Sequence, residues 1–500
     1  KLMGLAARHY KNADDIKAVM DLLRQLKSTY RYANDYFEFH KLCNQLLLES
    51  HTQENSRKYL NRVSELNLIG CGLTKDNLIA VATWFSNIRS LILTSAQGVY
   101  YDDLSFLIPR LPQLEELNLA HCAGVTDLIV EEISQYCTNL KLLDLSYTSV
   151  EGETLGNLLH NCQLLQHLNL AGLTHIVQYP DVFQHLLQCV HLVSLNLGGN
   201  IAIDDQTLRS IVRSLPHLKE LYLFGKQLTN WGLTRIANYL PNLEVLELDK
   251  CDYASDDSVK VILDNCPQLE SIHLPGCLSL SNSTFKRIPN LKNLMSLYLC
   301  GNQRLNDYHL DRILESCTML QRLDLSHCRG VSRDCLGRIS YLPLLQHLNL
   351  SGCRVDDETI GIYSQSGLHT SLVSLYLCYS KITDLTLFSI GANFLNLTRL
   401  NVCCCPFITF PALKQLIDDL RSLQCIEFDL CDKITKDHKA QIADVHPRLV
   451  SYNNFMMWEK WFFADYSTQR NIHMAYSEQG YSDLPDQIKE LSDMAHLGFV

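Results

Sequence analysis

The stretch Leu114–Asp127, "LEELNLAHCAGVTD", decides the fold. Leu117 and Leu119 alternate with polar residues, the period-2 pattern of a short strand that turns both leucines to one face. Beyond Val125-Thr126-Asp127, apolar residues recur at helical spacing (Leu128, Ile129, Ile133, Tyr136), with Thr126 or Asp127 placed to cap the helix start. One strand and one helix of this size cannot bury a core between themselves. Stacked copies can.

The copies are there. Aligned on its first apolar position, the pattern recurs at Val63, Ile88, Leu114, Leu140, Leu165, Leu192, Leu218, Leu243, Leu269, Leu294, Leu320, Leu345, Leu372, Leu397 and Leu423, always 25, 26 or 27 residues apart. A partial copy begins at Leu449. Parallel strands would form one side of the stack and helices the other. Helices are wider than the ~4.8 Å strand spacing, so the stack must curve with its sheet on the concave side.

The repeat also sorts the cysteines, 20 in 500 residues. Three residues past the last strand leucine stand Cys71, Cys122, Cys251, Cys277, Cys328, Cys353, Cys405 and Cys431, with Asn200 and Asn302 at the same position elsewhere. A second column, three residues before the next strand, holds Cys137, Cys162, Cys189, Cys266 and Cys317. These are packing positions for a small group whose S–H can meet turn backbone. Free thiols in such number point to a reducing, intracellular and cytoplasmic setting.

The unit resembles the leucine-rich repeat, and more narrowly its cysteine-containing subclass, whose motif runs L-x-x-L-x-L-x-x-C followed by (I/V)-T-D-x-x-L. The resemblance spans about Asn61 to Tyr452 and implies an α/β leucine-rich-repeat solenoid: a curved horseshoe, parallel sheet concave, helices convex. Repeats of this subclass are best known from F-box proteins, where an N-terminal box docks on a ubiquitin-ligase adaptor and the repeats hold a substrate. Residues 1–60 lack the Leu-Pro opening of such a box, and no Trp accompanies Cys43. An F-box reading therefore needs a box upstream of Lys1.

Both ends differ from the repeat. Residues 1–60 carry two amphipathic helical patterns, "DDIKAVMDLLRQL" and "YFEFHKLCNQLLLE", suited to an N-terminal cap or a partner-docking segment. Residues 453–500 open with Phe455, Trp458, Trp461, Phe462 and Phe463, rings that must be buried on the last repeat or in a protein partner.

Composition excludes several classes of function. The net charge of −11 argues against a nucleic-acid or anionic-membrane binder, and no run of eighteen apolar residues exists to span a bilayer. Phosphate loops, nucleophile elbows and H-E-x-x-H are absent, so neither an enzyme, a cofactor nor a small-molecule substrate is expected. Cys403-Cys404-Cys405 has the look of a metal site. Yet Cys405 belongs to the packing column, and Cys403 and Cys378 are expected together on the concave face as reactive thiols, too few for zinc.

Function is then expected from the concave surface. Its outward positions carry nine acids (Glu65, Glu116, Asp144, Glu220, Glu247, Asp249, Asp324, Glu427 and Asp429) against two bases, Arg322 and Arg399. From Asn67 to Asn196 the middle column reads as solvated surface. Over the central repeats, Glu220, Tyr222, Phe224, Glu247, Asp249, His273 and Tyr298 mix acid with aromatic groups expected to be exposed, the composition of a binding hot spot. A basic or partly apolar protein segment would suit it. The sequence thus predicts a non-catalytic interaction scaffold. It would serve as a structural or adaptor subunit of a larger eukaryotic assembly, such as a cytoskeletal complex of the ciliary axoneme. The alternative is the substrate-recognition subunit of an F-box-type ubiquitin ligase.

Overall fold

The computed structural model describes residues 64–445, apart from short stretches at 70–72, 74, 86, 97–98, 174–175, 177–178, 180, 200–202, 225–226, 250–253 and 275–279. Residues 1–60 and the tail 453–500, with Phe455, Trp458, Trp461, Phe462 and Phe463, lie outside the described residues.

The period becomes a single sheet of fifteen parallel strands, paired in sequence order from first to last. The strands are β1 (Glu65–Asn67), β2 (Ser90–Ile92), β3 (Glu116–Asn118), β4 (Leu142–Asp144) and β5 (His167–Asn169). Then come β6 (Ser194–Leu197), β7 (Glu220–Phe224), β8 (Val245–Asp249), β9 (Ser271–His273) and β10 (Ser296–Tyr298). The last five are β11 (Arg322–Asp324), β12 (His347–Asn349), β13 (Ser374–Tyr376), β14 (Arg399–Asn401) and β15 (Cys425–Glu427). Register follows the repeat, Leu117 facing Leu143 and Leu143 facing Leu168, so equivalent leucines stack into one continuous core. No described helix is long and apolar enough to cross a membrane.

In the helix Asp127–Tyr136, Ile129, Val130 and Ile133 are buried, but Leu128 and Tyr136 are exposed. The buried stripe is thus narrower than the apolar spacing predicts. The capping expectation also divides. Thr126 makes no side-chain cap bond, whereas Thr229, Ser255, Asn306 and Thr383 each accept from the first turn of their helices.

The Asp that follows does something else: it ties its repeat to the next. Asp127 accepts from the amides of Glu151, Gly152 and Thr154 at 2.6–3.1 Å. Asp256, Asp307, Asp357 and Asp384 accept from the amides of Ser281, Ser332, Thr383 and Thr409 at 2.7–2.9 Å. Charge-assisted bonds of this kind are about twice as strong as neutral ones. Against the upward pull of partial burial, the Ser281 and Thr284 hydroxyls, and after them the Ser281 amide, hold the Asp256 carboxyl down to about 2.

The cysteine columns are latches of the same sort. Cys122, Cys328, Cys353, Cys405 and Cys431 are buried, each donating its S–H to the carbonyl one residue past the strand of the preceding repeat: Leu93, Leu299, Leu325, Leu377 and Val402, at 2.9–3.2 Å. Asn302 makes the equivalent bond to Leu274 at 3.2 Å. Cys162 and Cys266 of the second column reach Cys137 and Leu240 carbonyls at 3.5 and 3.4 Å. Cys71, Cys251 and Cys277 lie outside the described residues.

Candidate protein-binding face

The concave middle column is built mostly from Asn and Asp, for a local reason. Each strand ends where the chain turns, and the side chain folds back to accept the amide two residues on. Asn118, Asp144, Asn169, Asn196, Asp324, Asn349 and Asn401 all do so, at 2.7–3.1 Å. Several also bond sideways, Asn118 to Asp144 and Asn349 to Asp324, both at 3.1 Å. The column expected as mere solvated surface is therefore a structural ladder.

At the centre of the sheet the ladder is interrupted. Its positions are taken by Tyr222, Glu247, His273 and Tyr298 on β7 to β10. This is where the sequence placed its candidate, and the strands do bring these residues side by side. Glu220 and Glu247 are half-buried. Phe224 pairs in register with Asp249, though neither side chain is described.

Exposure is the correction. Tyr222, His273 and Tyr298 are only 7, 3 and 3 % exposed, with the His273 and Tyr298 rings edge-on at 5.1 Å. On the inside of a curve, side chains from strands ~4.8 Å apart converge and cover one another. Burial pushes the His273 imidazole down to about 3, so the ring is neutral.

The same convergence overturns the expected reactive thiols. Cys378 and Cys403 are 6 and 1 % exposed. Cys378 donates to Asn401 Oδ1 at 2.7 Å, and Cys403 accepts from the Asp429 amide at 3.2 Å. With Cys405 turned to the Leu377 carbonyl, neighbouring thiols face different ways. Among the described residues, no group of three or more His, Cys, Asp or Glu could hold a metal ion.

The concave charge is likewise smaller than counted. Asp144, Asp324 and Glu427 are buried, and desolvation raises the carboxyls of Asp144 and Glu427, the latter to about 10.

With this geometry in hand, the comparisons are consistent. The family model for the leucine-rich repeat matches residues 316–332 and 341–358. A transport inhibitor response 1-like protein of Oryza sativa subsp. japonica is 24% identical over 309 residues, 53% of this chain and 51% of that protein. GRR1-like protein 1 of Arabidopsis thaliana is 26% identical over 325 residues, 56% of this chain and 54% of that protein. F-box/LRR-repeat protein 4 of Bos taurus is 30% identical over 171 residues, 33% of this chain and 27% of that protein. The chain thus spans about half the length, or less, of these curated relatives. Among solved structures, the Rad7–Elc1 complex of yeast contains a chain 16% identical, with a TM-score of 0.48, covering 85% of this chain and 99% of that one. At that similarity the likeness has no bearing on function.

Proposed function

We propose that this chain, a leucine-rich-repeat protein similar to the repeat regions of F-box/LRR proteins, is a non-catalytic recognition subunit that holds a protein client for a larger intracellular assembly. The observation that carries the reading is the interruption of the concave ladder. Over β7 to β10 the structural Asn/Asp gives way to Tyr222, Glu247, His273 and Tyr298. Tyr222, His273 and Tyr298 are buried there, and Glu247, with Glu220 on β7, keeps the surface that a partner can reach. A client segment that is basic, or partly apolar, suits Glu220 and Glu247 at this position.

Of the two assemblies expected from the sequence, the relatives named as F-box/LRR proteins support a ubiquitin-ligase setting over a ciliary or cytoskeletal one. The test is affinity purification of wild type and of Glu220→Lys/Glu247→Lys from cell extract, with quantitative mass spectrometry. The reading expects ligase-adaptor subunits with both forms and a client set only with wild type. Identical client sets, with circular dichroism unchanged, would move recognition away from the concave centre.

A further inference from the structure

We propose that the loop edge beside β10 to β13 is a second docking surface, which takes an acidic segment of a partner protein. It is built from Arg304, Arg329, Arg354 and Lys381, one cation in each of four consecutive turns, 25, 25 and 27 residues apart. The turns are stacked by backbone bonds: Gly301 to Ser326, His327 to Ser351 and Gly352 to Cys378, at 2.7–2.8 Å. The turns that carry the four residues therefore follow one another along the edge at about one strand spacing, ~4.8 Å, with Arg304 one position further along its turn than the other three. All four residues are exposed, and none is ion-paired among the described residues.

Nearby acids do not neutralise them, because those acids are committed elsewhere. Asp307, Asp357 and Asp384 accept the amides of the following repeat. Asp356 caps its own helix and, with Glu358, holds Arg333 at 3.2 and 2.8 Å. In a chain of net charge −11, four unpaired like charges in file are not what surface composition alone assembles. Nor is the row a general property of the repeat. Equivalent turns of earlier repeats carry Ala123-Gly124 and Ser149, and the turn after Lys381 carries Pro406-Phe407.

Three intervals of ~4.8 Å make a row of roughly 15 Å, which an extended chain at ~3.3 Å per residue covers with about five residues. Neighbouring cations stand well within the ~8 Å Debye length at physiological salt, so their fields add. The row is short, and Asp334 and Glu358, exposed in the first turns of the adjoining helices, are paired with Arg333. A carboxylate-rich peptide fits this better than a long polyanion such as DNA.

This surface is separate from the concave one in position and opposite in charge, so each can fail alone. The probe is a fluorescein-labelled peptide of six consecutive glutamates, titrated by anisotropy against the full chain in 50 and 300 mM NaCl. Wild type should bind, more weakly at the higher salt. Arg304→Gln/Arg329→Gln/Arg354→Gln/Lys381→Gln should bind at least tenfold more weakly, and the milder Arg329→Gln/Arg354→Gln should fall in between. The charge-matched control Arg213→Gln/Lys292→Gln/Arg312→Gln/Lys414→Gln and the concave variant should stay within twofold of wild type. The proposal is overturned if wild type does not bind, if the row variant binds as wild type does, or if the control loses as much. Tighter binding of a short DNA duplex through the same residues would overturn it too. So would peptide binding that appears only after removal of residues 453–500, because this chain's own tail would then be the occupant.

Discussion

Glu427 offers a sharp test of how the concave face is held. It lies on β15, 2 % exposed, with Oε2 accepting from Asn401 Nδ2 at 2.7 Å and Oε1 meeting no hydrogen-bond partner. Burial pushes its carboxyl from 4.5 to about 10, so the folded protein keeps a proton that the unfolded chain releases above pH 4.5. Stability from this group is therefore whole below pH 4.5 and erodes as pH rises from there toward about 10. At 1.36 kcal/mol per pH unit, the loss by pH 7 is roughly 3 kcal/mol.

Glutamine keeps the shape and the bond from Asn401 but cannot ionise. Glu427→Gln should therefore lie at or below wild type near pH 4.5, by the cost of its unpaired amide, and gain on it steadily to exceed it at pH 7 and 8 by about 1–3 kcal/mol. The assay is urea unfolding across pH 4.5–8. Hydrogen exchange at β14 and β15 should accompany it, because a solenoid can open from one end without unfolding throughout. Parallel curves for the two proteins, or a glutamine variant that is less stable at pH 8, would mean that the carboxylate is ionised and paired in the fold.

Two further outcomes are expected. In timed iodoacetamide labelling, Cys122, Cys328, Cys353, Cys378 and Cys403 should resist, and Cys300 should label first among the described cysteines; labelling of Cys378 or Cys403 at the Cys300 rate would restore their exposed placement. Cys404, also partly exposed, should lag because its thiol is pushed up to about 11. Gly352→Ala puts a Cβ at φ +69°, 2.4 Å from His327 Nδ1, and should cost at least ~1–2 kcal/mol in denaturant unfolding. Gly361→Ala, in a helix with nothing within 4 Å, should gain about 0.5–1 kcal/mol, and two changes of the same sign would contradict this backbone geometry.

What the sequence could show was whatever repeats along one unit. The leucine period placed all fifteen strands, and the described cysteines of both columns landed where a small buried donor is needed. Bonds between units were out of reach. Nothing in "VTD" says that Asp127 bonds to Thr154 of the next repeat, because that partner is set by the stacking offset. Exposure on the concave face failed for a related reason. Period-2 alternation turns Tyr222 and Tyr298 away from the core, but how far their neighbours cover them depends on curvature, which only the assembled stack has. The cationic row was legible in its spacing of about 25 residues. It was hidden by a net charge of −11, which averages over faces that differ in sign.

The turns at the edge share a further property that bears on where recognition takes place. Their backbone enters the left-handed region at Ser95, His121, Tyr147, His327, Tyr379, Cys404 and Leu430, and at Gly172, Gly199, Gly301 and Gly352. For residues other than glycine this costs about 1–2 kcal/mol each. What holds them is an amide bond to the next repeat: His121 to Ser146, Tyr147 to Ala171, Tyr379 to Cys403 and Cys404 to Asp429, at 2.8–3.1 Å. Of the side chains so placed, Tyr147, Tyr379 and Leu430 stand exposed at the edge. His121 stacks on Tyr147 at 4.7 Å, and a Cβ at Gly172 would fall 2.5 Å from that tyrosine ring. Strained positions that carry rings instead of glycine tend to mark surfaces with a task. In the hollow, by contrast, desolvation neutralises Glu427 and His273. Charge and aromatic surface that remain open to a partner are thus concentrated on the edge of this solenoid as much as in its concavity, and Arg329 beside His327 is where the two meet.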